Sequence, residues 1–518
     1  MRGGRVVAVS AAFALVLAVA YLVLPATGSD LSAQVARADF FAAHGPALVD
    51  LRWYGGVHPW GYSLLSPPLM ALLGVRVTGA LALLASAAAF AALLVRTRVP
   101  RPLLGSLVGA LTIAGNLVSG RVTYALGVAF GLAALLALTL PARRARTAAT
   151  VVAALLASAA SPVAGLFVGL AGVALLLTRR YADGLLLAVP AAVPLAVTGL
   201  LFGEGGWMNI STADTVHAVV TSLVVGALVA YRPVRVGALL SAAGVLASAL
   251  LPTPVGLNAT RLVVMFALPV LAAAATAPAR LGAGRLPRPV GALGLAALLA
   301  VVCWWQPPVV TADVRSAGDP TADPAYYAPL RAELARRGLT GRVEVPPTRN
   351  YWEAARLGEV PLARGWLRQA DIDRNGLFFT TVPGADGTGI PLNPITYRDW
   401  LADNAVQYVA VPDAEFSWVG RSEAELVALG QPYLTEVWSD RHWRLYAVAA
   451  PTPLVGAPGE LVRQDGASIT FRASAPGPVP VRIRHDRWLT ASGGATVTPD
   501  GAWTTVTVPR PGLYTLTS

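Results

Sequence analysis

From residue 6 to residue 305 the chain alternates between long apolar stretches and short polar breaks. A helix crossing the hydrocarbon core of a bilayer needs about 20 apolar residues, within a range of about 17–25. Eleven stretches approach that length: 6–24, 77–95, 102–118, 123–140, 147–161, 163–178, 184–202, 215–231, 236–251, 262–278 and 289–305. Those at 147–161, 163–178 and 236–251 are short and rich in alanine. Gly105 with Gly109, and Gly165 with Gly169, repeat small residues at a spacing that lets helix backbones approach closely in lipid. The first stretch is longer than a signal-peptide core and a polytopic pattern continues behind it, so it is expected to stay in the mature protein. One break differs from the others. Residues 25–76 form a 52-residue aromatic and polar loop directly after the first stretch.

Composition fits this pattern. The chain is 55% hydrophobic and 13% charged, against about 25% charged for an ordinary soluble protein. All 40 basic residues are arginine. The net charge of +12 is not a nucleic-acid footprint, because residues 1–305 hold 20 Arg and 6 acids (+14) and residues 306–518 hold 20 Arg and 22 acids (−2). The excess lies in the membrane half, where it sets topology. With the N-terminus in the cytoplasm, Arg2, Arg5, Arg96, Arg98, Arg101, Arg143, Arg144, Arg146, Arg179, Arg180, Arg232, Arg235, Arg280, Arg285 and Arg288 all fall inside. Only Arg37, Arg52, Arg76, Arg121 and Arg261 fall outside. An odd number of spans then places the 25–76 loop and everything after Gln306 on the outer face. A single cysteine, Cys303, excludes an intrachain disulfide.

Three regions are expected: a transmembrane part (1–305), a small extracytoplasmic α/β part (306–450) and a β-sandwich module (451–518). Residues 326–338, 351–358 and 421–429 read as helices, and Glu344–Pro346 and Tyr408–Pro412 as short strands. After Pro451 the pattern turns to period two at 468–471, 479–484, 495–498, 503–508 and 514–516, divided by Gly and Pro turns.

Candidate chemistry gathers on the outer face. Asp30 follows the first span by six residues; it suits a general base that removes a hydroxyl proton, and it equally suits the N-cap of a helix starting at Leu31. Gln34 and Arg37 share its helical face, with Asp39 and His44 nearby, on a segment (31–43) that reads as an amphipathic helix lying on the membrane. Residues 50–63 then pack Arg52, Trp53, Tyr54, His58 and Tyr62 among glycines, either a platform for a sugar and its phosphate or interfacial anchors. Arg121 and the Asn258/Arg261 pair sit at outer helix mouths, against the charge trend. Arginine near the membrane is retained where it pairs or binds an anion, and its guanidinium matches phosphate. Asp30, Asp39 and Asp214 are the alternative partners. There is no Walker A string, dinucleotide glycine fingerprint, HExxH or GxSxG. No cofactor is expected, and nothing in the pattern supports a divalent metal.

The order of these features resembles the GT-C superfamily of polytopic glycosyltransferases, which includes protein mannosyltransferases, aminoarabinose transferases and actinobacterial arabinofuranosyltransferases. The matching pieces are Ser29-Asp30 for the acidic motif of the first outer loop, and Ser66-Pro67-Pro68-Leu69 with Arg76-Val-Thr-Gly-Ala for its return to the second span. Many members carry two near-adjacent acids there, whereas this chain has Ser29 and next Asp39. The resemblance implies an α-helical polytopic membrane protein of about eleven transmembrane helices. It also implies transfer of a sugar from a polyprenyl-phosphate donor to an envelope glycan or lipid acceptor, with Asp30 as base. A transporter or lipid exporter is a second reading, though no paired repeats are visible. A non-catalytic envelope-assembly scaffold is a third.

Overall fold

The apolar stretches fold as helices because lipid offers no partner for an open backbone. The structure, a computed structural model, describes residues 3–276 and 288–518. Helix α1 (Gly3–Val23) leads into the polar loop, which forms α2 (Leu31–His44), α3 (Pro59–Tyr62) and α4 (Ser66–Leu73). The bundle continues with α5 (Val75–Arg96), α6 (Pro102–Val118), α7 (Val122–Ala137), α8 (Arg143–Ala160), α9 (Pro162–Leu177), α10 (Tyr181–Phe202), α11 (Thr212–Leu228), α12 (Arg232–Leu250), α13 (Arg261–Ala274) and α14 (Arg288–Trp305). Each of the eleven stretches thus has a helix. Among the described residues five segments are long and apolar enough to cross a membrane by length and composition: Gly3–Val23, Val75–Arg96, Tyr181–Phe202, Arg232–Leu250 and Gly256–Ala274. Arg2, Arg280, Arg285 and the end of the 262–278 stretch lie outside the described residues.

Close packing follows the small residues in part. A Cβ on Gly105 would lie 2.4 Å from Ala273 Cβ on α13, and one on Gly109 would lie 2.6 Å from the Phe90 ring on α5. Gly165 meets Ser158, but Gly169 faces open space, so the second pair is half used.

The C-terminal part is built on β-sheets. Helices α15 (Thr311–Arg315), α16 (Pro324–Arg337), α17 (Glu353–Arg356), α18 (Arg368–Arg374), α19 (Pro394–Asp403) and α20 (Trp418–Ala428) surround strands β1 (Arg342–Glu344), β2 (Val406–Pro412), β3 (Leu434–Ser439) and β4 (Trp443–Val448). Their order is β1-β2-β4-β3, with only β1 and β2 parallel. Seven further strands follow: β5 (Gly459–Gln464), β6 (Ser468–Ala473), β7 (Gly477–Arg484), β8 (Thr490–Ala491), β9 (Thr496–Asp500), β10 (Trp503–Val508) and β11 (Gly512–Thr517). They make two antiparallel sheets, β7-β10-β9 and β5-β6-β11-β8. Alternate residues such as Ile469, Phe471, Val479, Val481, Val506 and Leu516 fill the space between them.

The loop of residues 25–76 is clamped by this C-terminal part. Val49 and Leu51 join the sandwich core, and Leu51 N–H donates to the Gly466 carbonyl at 2.8 Å. Trp53 and Tyr54 belong to a core that continues through Val343, Trp352, Tyr408 and Trp443 into α1, α5 and α7. Helix α2 was expected to lie on the membrane surface. It is instead largely buried, packed on α4 and α17.

Candidate functional site

Two glycines bring the 25–76 loop onto the α6–α7 turn. Gly28 (φ +93°) and Gly120 (φ +78°) adopt backbone conformations that L-residues with a side chain rarely take. A Cβ on Gly28 would sit 2.3 Å from the Ser119 carbonyl carbon, and one on Gly120 would sit 2.3 Å from the Leu31 nitrogen. The two chain passes therefore touch backbone to backbone. Asp30 N–H donates to the Ser119 carbonyl at 3.3 Å, and Thr27 Oγ1 donates to the Val118 carbonyl at 2.9 Å.

This contact sets Asp30 beside Arg121. Asp30 stands at the N-cap position of α2 but makes no side-chain capping hydrogen bond. Its Oδ2 accepts from Arg121 Nε at 3.2 Å and from Arg261 Nη2 at 3.4 Å. Oδ1 accepts no hydrogen bond among the described residues. Arg261 opens α13 directly after the 3-10 turn Gly256–Thr260, which carries Asn258. One carboxylate lies between two guanidiniums, and the charge of a second acid, Asp313, also reaches Arg121. Arg121 and Arg261 are 26% and 15% exposed, enough to reach a ligand and little enough to be poorly screened.

All three side chains line a cavity of about 650 Å³, the size of an ordinary small-molecule site. Its lining includes the apolar side chains of Val163, Leu166, Val264 and Met265, together with Tyr62, Asn258 and Trp366. The C-terminal part supplies residues 365–369 to the wall. Trp366 Nε1 donates to the Ser29 carbonyl at 2.7 Å, and its ring meets Tyr62 edge-on at 6.5 Å.

A buried charge knot holds that segment. Arg364 donates to Asp371 through Nε (3.0 Å) and Nη2 (2.9 Å) and to Glu423 through Nη1 (3.0 Å), with Glu344 at 3.8 Å. Burial, together with the neighbouring carboxylates, pushes Glu344 well above the usual carboxylate range. Burial also lifts Glu423 to about 7 against the pull of Arg364. The knot thus holds a proton at neutral pH.

The remaining sequence candidates lie off the cavity. Gln34 accepts from Thr123 Oγ1 at 2.5 Å and donates to the Asp30 carbonyl at 3.4 Å, joining α2 to α7. Arg37 is buried with its guanidinium 3.7 Å from the Tyr62 ring centre and within 6 Å of Trp53 and Trp366. Burial lowers its pKa from the usual guanidinium value. Asp39 is exposed on the far side of α2. Arg52 is paired with Asp50 (2.9 and 2.7 Å) and bonded to the Ala36 carbonyl. Trp53 packs on Gly365. Tyr54 donates to the Gly365 carbonyl at 2.6 Å. His58 bridges Asp486 (2.6 Å) and Glu204 (3.3 Å). The stretch from Arg52 to His58 therefore ties the 25–76 loop to the C-terminal part, and of the candidates in residues 50–63 Tyr62 alone reaches the cavity.

Several polar residues at the site escaped sequence reasoning, among them Asp313, Tyr124, His217 and Gln306. Asp313 accepts from Ser119 Oγ at 2.6 Å, one residue before Gly120, and is the second acid whose charge reaches Asp30. Burial first, with Asp30's charge adding, raises its pKa. Tyr124, His217 and Gln306 also line the cavity. No local motif marks any of them; only the fold brings them in. Among the described residues one group of metal-ligating side chains converges, His44, Glu359 and Asp465. None of the three lines the cavity, and His44 is already bonded to Glu359 at 3.1 Å.

Among solved structures the chain is similar to arabinofuranosyltransferase AftD from mycobacteria. The TM-score is 0.47 and the identity 15%, over 99% of this chain and 57% of that one. A mutant form of the same enzyme gives a TM-score of 0.45 at 15% identity, over 99% of this chain and 60% of that one. The chain thus spans less than two thirds of that enzyme's length. No protein-family model matches the sequence, and no curated protein matches it.

Proposed function

We propose that the protein is a membrane glycosyltransferase that moves a sugar from a polyprenyl-phosphate donor to an envelope glycan or lipid acceptor on the outer face. The observation that carries the proposal is one carboxylate, Asp30, held through a single oxygen by Arg121 and Arg261 at the wall of a cavity that Val163, Leu166, Val264 and Met265 also line.

The chemistry follows from that arrangement. The donor's prenyl chain lies along Val163, Leu166, Val264 and Met265, and its phosphate meets Arg121 and Arg261. The acceptor hydroxyl attacks the anomeric carbon from the face opposite the phosphate. The new C–O bond forms as the C–O bond to phosphate breaks, and the hydroxyl proton passes to Asp30. The departing polyprenyl phosphate keeps the electron pair, and the two guanidiniums stabilise its charge as it develops. Tyr62 and Asn258 contact the sugar or phosphate. The arginine distribution supports a multi-pass topology with a cytoplasmic N-terminus and residues 306–518 outside.

A deletion strain complemented with wild type or Asp30→Asn tests this reading through the composition of its envelope glycans. Wild type restores a missing linkage, and Asp30→Asn at equal expression does not. Full complementation by Asp30→Asn would instead favour transport or scaffolding.

A further inference from the structure

Away from Asp30, the same cavity has a second polar region that the proposed chemistry does not use. Gln306 follows α14 directly and is 8% exposed, yet it lines the cavity. Its Oε1 is buried with no hydrogen-bond partner among the described residues. Leaving a buried amide oxygen unpaired is costly, and rotation of the amide would present it to the cavity that Gln306 lines. Beside it, Trp305 and His217 stack at 5.8 Å with their planes 14° apart. The indole cannot swing away, because Trp305 Nε1 donates to Thr221 Oγ1 at 3.0 Å. Asp214, one helical turn before His217, reaches the same cavity.

The backbone here is fixed as well. Pro307 and Pro308 follow Gln306, and a Cβ on Gly115 would collide with the Pro308 carbonyl, so this segment lies hard against α6. At its far end Asp313 bonds to Ser119, beside the Asp30–Arg121 contact. The segment from 306 to 313 thus ties the second polar region rigidly to the first.

We infer that Gln306, His217, Trp305 and Asp214 form a saccharide subsite, a conclusion that rests on the transferase reading for its place in a reaction. An unpaired amide oxygen accepts from a ring hydroxyl. A carboxylate accepts a second, and the stacked rings offer a flat apolar face to the sugar's C–H groups. The ring comes from either the donor or the acceptor, and the two share this chemistry.

The test is saturation-transfer NMR on the full-length protein in nanodiscs, with a panel of methyl pentofuranosides and methyl hexopyranosides. At least one glycoside binds wild type. Gln306→Leu weakens that binding about tenfold, the scale of one hydrogen bond to a buried group. Gln306→Glu keeps the acceptor oxygens and much of the affinity, which separates a lost contact from a misfolded protein. Adding the synthetic polyprenyl-phosphate ester of the same sugar identifies the source: displacement of the glycoside assigns the subsite to the donor ring, and retention assigns it to the acceptor. Absence of binding across the panel, or equal binding by Gln306→Leu, overturns the subsite. Glycoside binding that depends on Gln306, in a protein whose Asp30→Asn variant transfers normally, leaves the subsite standing and removes Asp30 as base.

Discussion

His58 gives the contact between the 25–76 loop and the C-terminal part a pH-dependent joint. Its ring lies between Asp486 of the sandwich (2.6 Å) and Glu204 after α10 (3.3 Å), and Glu204 is also paired with Arg374 at 2.6 Å. Burial alone lowers the His58 pKa, but hydrogen bonds and charge from Asp486 and Glu204 outweigh it and raise it from 6.5 to about 9. A histidine with a raised folded-state pKa contributes its full stabilisation below the unfolded value and loses it as pH rises through the folded one. At about 1.36 kcal/mol per unit, the shift is worth about 3 kcal/mol below pH 6.5, about 2 at pH 7.5 and nearly nothing at pH 9.5. Water at the partly exposed Asp486 makes these figures ceilings. Replacing His58 by glutamine removes the titrating group. Because Arg342 and Arg484 also titrate at high pH, the quantity to read is the difference between wild type and His58→Gln. Amide protection across residues 485–489 should favour wild type by up to about a hundredfold at pH 6 and converge by pH 9.5. A difference that stays constant from pH 6 to 9.5 would show that the ring is uncharged in the folded state and refute the reasoning.

Further outcomes follow from the same structure. Gly120→Ala adds a Cβ at 2.3 Å from Leu31 N and should abolish transfer by parting Asp30 from Arg121. Gly74→Ala carries the same strained φ with nothing within 4 Å, so transfer should persist; equal activity of the two variants, read by product formation, would contradict this. Arg364→Met strands Asp371 and Glu423 in a dry interior and should lower unfolding stability by about 3–5 kcal/mol, seen as a large drop in thermal midpoint. Burial lifts the folded-state pKa of Glu423 to about 7, so its contribution is complete below about pH 4.3 and fades as pH rises through about 7. Glu423→Gln should therefore flatten the loss of thermal stability between about pH 4.3 and pH 7, and an unchanged slope would rule Glu423 out as its source.

The helices were legible because apolar length is a strong local signal. The strands of the sandwich were legible where period two holds, as at 479–484 and 503–508. Strand β5 escaped because it is a half-exposed edge strand, with Val462 outward. At the site, Asp30 could be picked out by its place just after the first span, and Arg121 and Arg261 as charges against the positive-inside trend. Their convergence across 231 residues could not. The stretch from Arg52 to His58 misled because aromatic density serves a binding platform and an interdomain core equally well. Trp366 and Asp313 carry no local signal; each matters through one contact, to Ser29 and to Ser119.

The central claim is that Asp30 takes the acceptor proton while Arg121 and Arg261 hold the donor phosphate. It is tested most directly by purified protein in nanodiscs, given a radiolabelled polyprenyl-phosphate sugar and an envelope glycan acceptor. The account predicts labelled product with wild type and a loss of about a hundredfold or more with Asp30→Asn, while the variant still binds the donor. Transfer by Asp30→Asn at the wild-type rate would contradict it.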